Sequence, residues 1–191
     1  MFEQLRNKLS LDDDSWNNYA SCFKCLKVPA KTVLLKEGDI ARKMFLIEKG
    51  CIRVWFNNNG KDVTTQFFFE NSMVASIESF RKACPSLVNI ETIEPCILWY
   101  IHKKDLDPII AAINEAPASR EQFIDAIFER TFDYMKHFVS AIRDTPQQRY
   151  LDLIKDRPQI VQRVPQHYIA SYLGISTVHL SRIKSKLARE K

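Results

Sequence analysis

Residues 164–190, VPQHYIASYLGISTVHLSRIKSKLARE, carry the chain's most suggestive set of side chains. Thr177, Val178, Ser181, Arg182, Ser185 and Lys186 fall on one side of a helix, with Leu180, Ile183 and Leu187 on the other. Hydroxyls, a guanidinium fork and an ammonium on one rigid face suit a polar, anionic partner. Upstream, Ile169 and Leu173 make a short inner face, and Ala170 is small where a second helix must cross. Gly174 supplies a tight turn, Ile175 fills its corner, and Ser176 is a good N-cap for the helix that follows. Two short helices meeting at such a turn form a helix-turn-helix, whose second helix enters the major groove of DNA. A generic αα-hairpin would explain the apolar positions but not the hydroxyl-rich, basic face.

On that reading each polar residue has a place. With Leu180 and Ile183 facing inward, Thr177, Val178, Ser181 and Arg182 turn towards base edges. Arg182 alone among them can pair in two-pronged fashion with guanine O6 and N7. Lys184 and Lys186 reach phosphates, and Gln166, Ser176 and His179 stand near the helix starts, where the backbone approaches. The alternative role for Arg182 is itself a phosphate contact.

Charge points the same way once it is divided. From Arg143 to Lys191 there are ten Lys/Arg against four Asp/Glu, a net of +6. The preceding 142 residues hold eighteen and nineteen, a net of −1. A basic surplus confined to one end suits double-stranded DNA or an anionic membrane, and otherwise reads as a solvated tail. The 191 residues hold no stretch approaching the roughly 20 apolar residues of a membrane span. Five cysteines, an odd number, and a start without the apolar run of a secretory signal place the expected protein in the cytoplasm.

The elements ahead of the motif must position it. Gly38, Gly50 and Gly60 punctuate the β-branched and aromatic runs KTVLLKE, KMFLIEK, CIRVWF and KDVTTQFFF, and Asn59-Gly60 is a hairpin signal. SLVNIETI and CILWYI add strands on either side of Glu94-Pro95, so residues 31–101 read as all-β, behind a short helix at Leu11–Phe23. KKDLDPIIAAINEA reads as a short helix, and Ser119–Arg143, free of Gly and Pro, as a long one. Along it Ile124, Phe128, Met135, Phe138 and Ile142 recur at steps of three or four, with Thr131 in register. Phe123, Ile127, Tyr134 and Ala141 form a second row. So wide a stripe fits a helix that packs on its own domain and on a partner helix; a single helix lying across its own sheet is the alternative. Thr145 as N-cap and Pro146 at the first position open a further helix, which Arg157-Pro158 ends.

A β-rich domain, a long helix and a terminal helix-turn-helix together resemble the Crp–Fnr superfamily of bacterial transcription regulators. KEGDIARKMFLIEKGCIRVWF looks like that family's cyclic-nucleotide-binding-type β-roll, and IASYLGISTVHLSRIKSKL like its DNA-reading end. The resemblance implies an α+β architecture in three parts. Residues 1–116 are an antiparallel β-roll or jelly-roll effector domain, 117–144 the dimerisation helix, and 145–191 the helix-turn-helix domain. It also implies a homodimer on a palindromic operator, RNA polymerase as a further partner, and a small-molecule effector of undetermined identity. The reading heads would stand about 34 Å apart, one turn of DNA.

Two departures bear on that expectation. Relatives that bind a cyclic nucleotide use a Gly-Glu pair for the ribose and an Arg-Ser or Arg-Thr pair for the cyclic phosphate. Here Ala75-Ser76 and Pro85-Ser86 stand at those places, and proline offers neither cation nor N–H. Arg81 and Lys82 lie nearby, in a segment that reads as a solvated loop. Cyclic AMP is therefore not expected to bind. Many relatives also continue into a β-hairpin wing, whereas this chain stops at Lys191, so the wing is expected to be short or absent.

Other signals are weaker. Cys22 and Cys25 form a CxxC, and some relatives hold an iron–sulfur cluster with cysteines ahead of the β-roll; such a cluster takes four thiolates. Cys51, Cys84 and Cys96 are scattered, and all five are read as buried small apolar residues with no cofactor. His102, His137, His167 and His179 lack metal-ligand spacing. With no GxSxG, P-loop, HExxH or glycine-rich dinucleotide turn, the chain is not read as an enzyme. The alternative function is a small-molecule sensor that acts through protein partners.

Overall fold

The structure is a computed structural model and describes residues 19–189. The expected helix at Leu11–Phe23 lies outside the described residues except for its end, where Tyr19 and Ala20 are helical. Among the described residues, eight strands and seven helices follow. The strands are β1 (Lys24–Val28), β2 (Val33–Leu35), β3 (Lys43–Lys49), β4 (Ile52–Asn58), β5 (Lys61–Phe68), β6 (Met73–Val74), β7 (Asn89–Thr92) and β8 (Cys96–His102). They form two four-stranded sheets, ordered β1-β8-β3-β6 and β2-β7-β4-β5. All the pairings whose register is described are antiparallel: Phe45 lies opposite Tyr100 across β3 and β8, Leu26 opposite Leu98 across β1 and β8.

The β4–β5 hairpin forms where Asn59-Gly60 calls for it. Both residues adopt positive φ, 51° and 83°, and the Asn57 side chain accepts the Gly60 amide at 2.9 Å. That backbone twist matches the twist of the strands it joins. One strand, β1, and one helix run through segments whose sequence reads otherwise, the helix inside the stretch read as all-β. β1, KCLKV, is mostly exposed at a sheet edge, so its polar residues hide the strand pattern. β6 is two residues long. The helix α1 (Ile77–Lys82) occupies the segment read as a solvated loop.

Helix α2 (Lys103–Glu115) follows β8 directly and buries Leu106, Ile109 and Ile113 with Phe23, Leu46, Phe80 and Ile101. A second cluster of Phe45, Ile47, Ile52, Phe68, Ile90 and Leu98 fills the space between strands of both sheets. The long helix α3 (Pro117–Arg143) is continuous for 27 residues. It is followed by α4 (Pro146–Asp156), α5 (Pro158–Arg163), α6 (Gln166–Tyr172) and α7 (Thr177–Arg189). Thr145 caps α4 by accepting the Gln148 amide at 3.2 Å, with Pro146 at the first position, where its missing N–H is not needed. Pro158 stops α4 and opens α5, a short turn of helix that burial of Ile160 anchors.

The chain gathers into two compact units. One comprises residues up to Val54 together with Phe68–Thr131; the other comprises Trp55–Phe67 with Phe132–Lys191. The second unit therefore contains the tip of the β4–β5 hairpin as well as the helix-turn-helix.

Candidate nucleic-acid interface

The helix-turn-helix is built by a few local rules. α6 starts after Pro165, which serves as its N-cap, and buries Ile169 and Ala170. Leu173 ends the helix and is buried too. Gly174, at φ +67°, then turns the chain, with its amide on the Ser171 carbonyl and that of Ile175 on Ala170. A side chain at that φ would be strained, which is why glycine stands there. Ser176 caps α7 through its hydroxyl, which accepts the His179 amide at 3.2 Å. Leu180 and Ile183 are buried, 1% and 5% exposed, and Leu187 is half-buried.

Burying that side fixes what the other side presents. Thr177, Val178, His179, Ser181, Arg182 and Lys186 are exposed on α7, as are Ser176 and Gln166; Lys184 is half-buried. Ser181, Arg182, Ser185, Lys186 and Arg189 line one open concavity along α7, so hydroxyls and cations share a single surface. The Lys186 ammonium donates to Gln147 Oε1 of α4 at 3.1 Å, so this lysine already braces two helices.

A cluster that sequence spacing does not reveal lies behind α6. The Ser171 hydroxyl donates to the Asp62 carbonyl at 2.7 Å and accepts the Thr64 amide at 2.9 Å, satisfying a donor and an acceptor on β5, an edge strand of its sheet. The Arg157 guanidinium donates to Gln66 Oε1 at 2.6 Å, to the Phe67 carbonyl at 2.8 Å and to the Tyr172 hydroxyl at 3.2 Å. Gln66 completes the network by donating to Asp133 of α3 at 2.9 Å. The His137 ring stacks on Tyr172 with centroids 4.3 Å apart. Burial lowers the His137 pKa, the charges of Arg157 and Arg149 lower it further, and Asp133 opposes them. Burial likewise raises the pKa of Tyr172. Gln66 and Arg157 are 91 residues apart, beyond the reach of any periodic pattern.

Around Pro85-Ser86, the pair expected at the cyclic-phosphate position, the chain's own groups bond to one another. Ser86 is buried; its hydroxyl lies 3.0 Å from Ser76 Oγ and 2.7 Å from the Val88 carbonyl, and accepts the Val88 amide at 3.2 Å. Pro85 pairs with Ile40 in a β-bridge. Arg81 is exposed on α1, where its carbonyl accepts Lys103 Nζ at 3.2 Å.

Helix α3 leaves its apolar seam open in the single chain. Ile124, Phe128, Met135, Phe138 and Ile142 are all exposed, Phe138 by 65% and Ile142 by 73%, and so are Ile127 and Tyr134 of the second row. Ser119 is its only buried residue, and Phe123 packs beside the α2 core. Thr131, in register with the seam, folds its hydroxyl back onto the Ile127 carbonyl at 2.9 Å.

The cysteines are not uniformly buried. Cys51 and Cys96 are, but Cys22 and Cys84 are half-buried and Cys25 is exposed, so the reading of all five as core residues is corrected. β1 is an edge strand, and Cys25 lies on it. Among the described residues no group of three or more His, Cys, Asp or Glu is placed to hold a metal ion. No helix among them is long and apolar enough to cross a membrane.

Two antiparallel sheets, a long helix and a terminal helix-turn-helix give this chain the fold of the Crp/Fnr-type transcription regulators. Residues 25–112 match the cyclic nucleotide-binding domain family, over most of the β-strands and α2. Three solved structures illustrate the likeness. The c-di-GMP-responsive global regulator CLP of Xanthomonas campestris superposes with a TM-score of 0.73 at 17% identity, over 94% of this chain and 93% of that one. A CooA variant from Carboxydothermus hydrogenoformans gives 0.71 at 14% identity, over 95% and 83%. A Crp/Fnr-family regulator from Eubacterium rectale gives 0.70 at 16% identity, over 95% and 85%. No curated protein matches the sequence.

Proposed function

We propose that this protein is a DNA-binding transcription regulator that acts as a homodimer on a two-fold symmetric operator. The observation that carries the reading is the surface of α7: Thr177, Val178, Ser181 and Arg182 are exposed together over buried Leu180 and Ile183, on a helix capped by Ser176. In a helix-turn-helix the first turns of such a helix meet base edges, and its flanks meet phosphates. The roles assigned to these side chains follow from that docking. Arg182, with Ser181 beside it, discriminates bases. Gln166, Ser176, His179, Lys184 and Lys186 hold the sugar-phosphate backbone, Lys186 by exchanging or sharing its bond to Gln147.

Dimerisation through α3 is the second part of the proposal. The exposed seam from Ile124 to Ile142 is supported as an interface by its length and by its heptad-like spacing. The sensor domain has lost the cation that a cyclic phosphate needs, and cyclic AMP is not its effector. The protein is no enzyme; it works in the cytoplasm beside its DNA, and its effect reaches RNA polymerase.

Retention of genomic fragments tests the reading. Wild-type protein should hold a small set of fragments at salt concentrations that strip non-specific DNA, because counterion release weakens both classes but base contacts protect only one. The double variant Ser181→Ala, Arg182→Ala should lose that selectivity while still binding DNA at low salt. Equal selectivity in the two proteins would refute the assignment of α7 as the reading helix.

A further inference from the structure

Arg149, in the first turn of α4, takes three backbone carbonyls with one guanidinium. Nη1 donates to Ala141 at 3.0 Å and to Asp144 at 2.9 Å, and Nη2 donates to Leu173 at 2.9 Å. Each acceptor has a distinct place in the fold. Ala141 lies in the last turn of α3, Asp144 in the link between α3 and α4, and Leu173 is the C-cap residue of α6, immediately before Gly174. The last carbonyls of a helix have no partner within it, and here one fork serves the ends of two helices. The positive charge also sits where both helix dipoles are negative.

We infer that Arg149 is a positioning residue: it fixes the start of the reading helix α7 relative to the end of the long helix α3, and so sets the half-site spacing that the dimer accepts. Leu173 is three residues ahead of Ser176, the cap of α7, with only the Gly174 turn between them. Holding the Leu173 carbonyl therefore locates the first turn of α7. A guanidinium is a planar array of donors, so the three oxygens it binds are locked in one arrangement. A lysine would keep the charge but present its donors from one rotating point. The inference rests on the DNA-binding reading above for its operator consequence, though not for the clamp itself.

Two readouts separate positioning from mere stability in the 191-residue protein. The comparison set is wild type, Arg149→Lys and a core control, Ile160→Val, which loosens the same unit at a fully buried site. Hydrogen exchange at Gly174–His179 should accelerate at least tenfold in Arg149→Lys and stay near wild type in Ile160→Val. Unchanged exchange in Arg149→Lys would overturn the clamp, with or without DNA. Binding to operators whose half-sites are moved apart or together by single base pairs gives the second readout. Wild type should lose about tenfold in affinity per displaced base pair. Arg149→Lys should lose less than threefold, with unchanged base preference inside each half-site. A wild-type spacing optimum in Arg149→Lys would overturn the positioning role. If wild type selects no symmetric sequence at all, the DNA reading fails, and the exchange result still decides the clamp.

Discussion

Truncating Phe138 to alanine should break the dimer at concentrations where wild type holds together. Phe138 is 65% exposed in the single chain and lies on the seam between Met135 and Ile142. A phenylalanine side chain presents roughly 150–250 Å² in full, so association would remove about 130 Å² of aromatic surface from water per chain. At about 25 cal/mol per Å² that is about 3 kcal/mol. Counted once, that raises the dissociation constant about a hundredfold; counted twice across the two-fold axis, about 6 kcal/mol, it raises it up to about twenty-thousandfold. Sedimentation equilibrium over a dilution series measures it. Leu87→Ala is the control, because Leu87 is 74% exposed on the β domain and lies off the seam. Equal dissociation constants for wild type and Phe138→Ala would remove α3 as the interface, whatever the oligomeric state. A shift in Leu87→Ala as large as that in Phe138→Ala would show that the effect is not specific to the seam.

Three other outcomes follow from the same geometry. Arg182→Ala, measured on operators with single base changes, should lose about 1–3 kcal/mol of discrimination at one position; uniform weakening would make Arg182 a phosphate contact. Millimolar cyclic AMP should leave the Tm and DNA affinity unchanged, whereas a native-state ligand at a hundredfold excess over its Kd adds about 2.7 kcal/mol; a clear rise would show that Ser86 and its neighbours open to receive the phosphate. Burial and the adjacent guanidinium groups hold the His137 pKa low, so the unfolded chain takes up a proton that the folded one refuses. Stability should thus be full above about pH 6.5 and decline as pH falls from there towards the folded pKa; His137→Phe, which keeps a ring against Tyr172, should flatten that stretch of the denaturant midpoint profile, and an unchanged slope would clear His137 of the effect.

What the sequence discloses and what it conceals differ by range. Asn59-Gly60, Thr145-Pro146 and the Gly174–Ser176 turn are legible because each is a local rule that a handful of neighbouring residues satisfies. Leu180 and Ile183 are equally plain, since helical periodicity alone turns them inward. β1 and α1 escape because their residues are mostly exposed, and burial is what writes a periodic signal into a sequence. The Arg157–Gln66–Asp133 network and the Ser171 bridge to β5 are invisible for another reason: they join residues far apart in the chain.

Charge illustrates the limit most clearly. The surplus of +6 after residue 142 reads as a surface waiting for phosphate. Yet Arg149 donates to three backbone carbonyls, Arg157 to a side chain, a carbonyl and a phenol, and Lys186 to Gln147. Part of the surplus is thus engaged in holding the unit together, and composition cannot distinguish an arginine that braces a fold from one that faces a partner. Arg182 differs in place, exposed on the open surface of α7.

Selection from a pool of random DNA duplexes by the wild-type protein tests the central claim most directly. Enrichment of one sequence with two-fold symmetry, its half-sites centred about one turn of DNA apart, is the result that a symmetric pair of α7 helices predicts. Binding that falls with salt but enriches no sequence would contradict it, leaving a basic surface with no power to read bases.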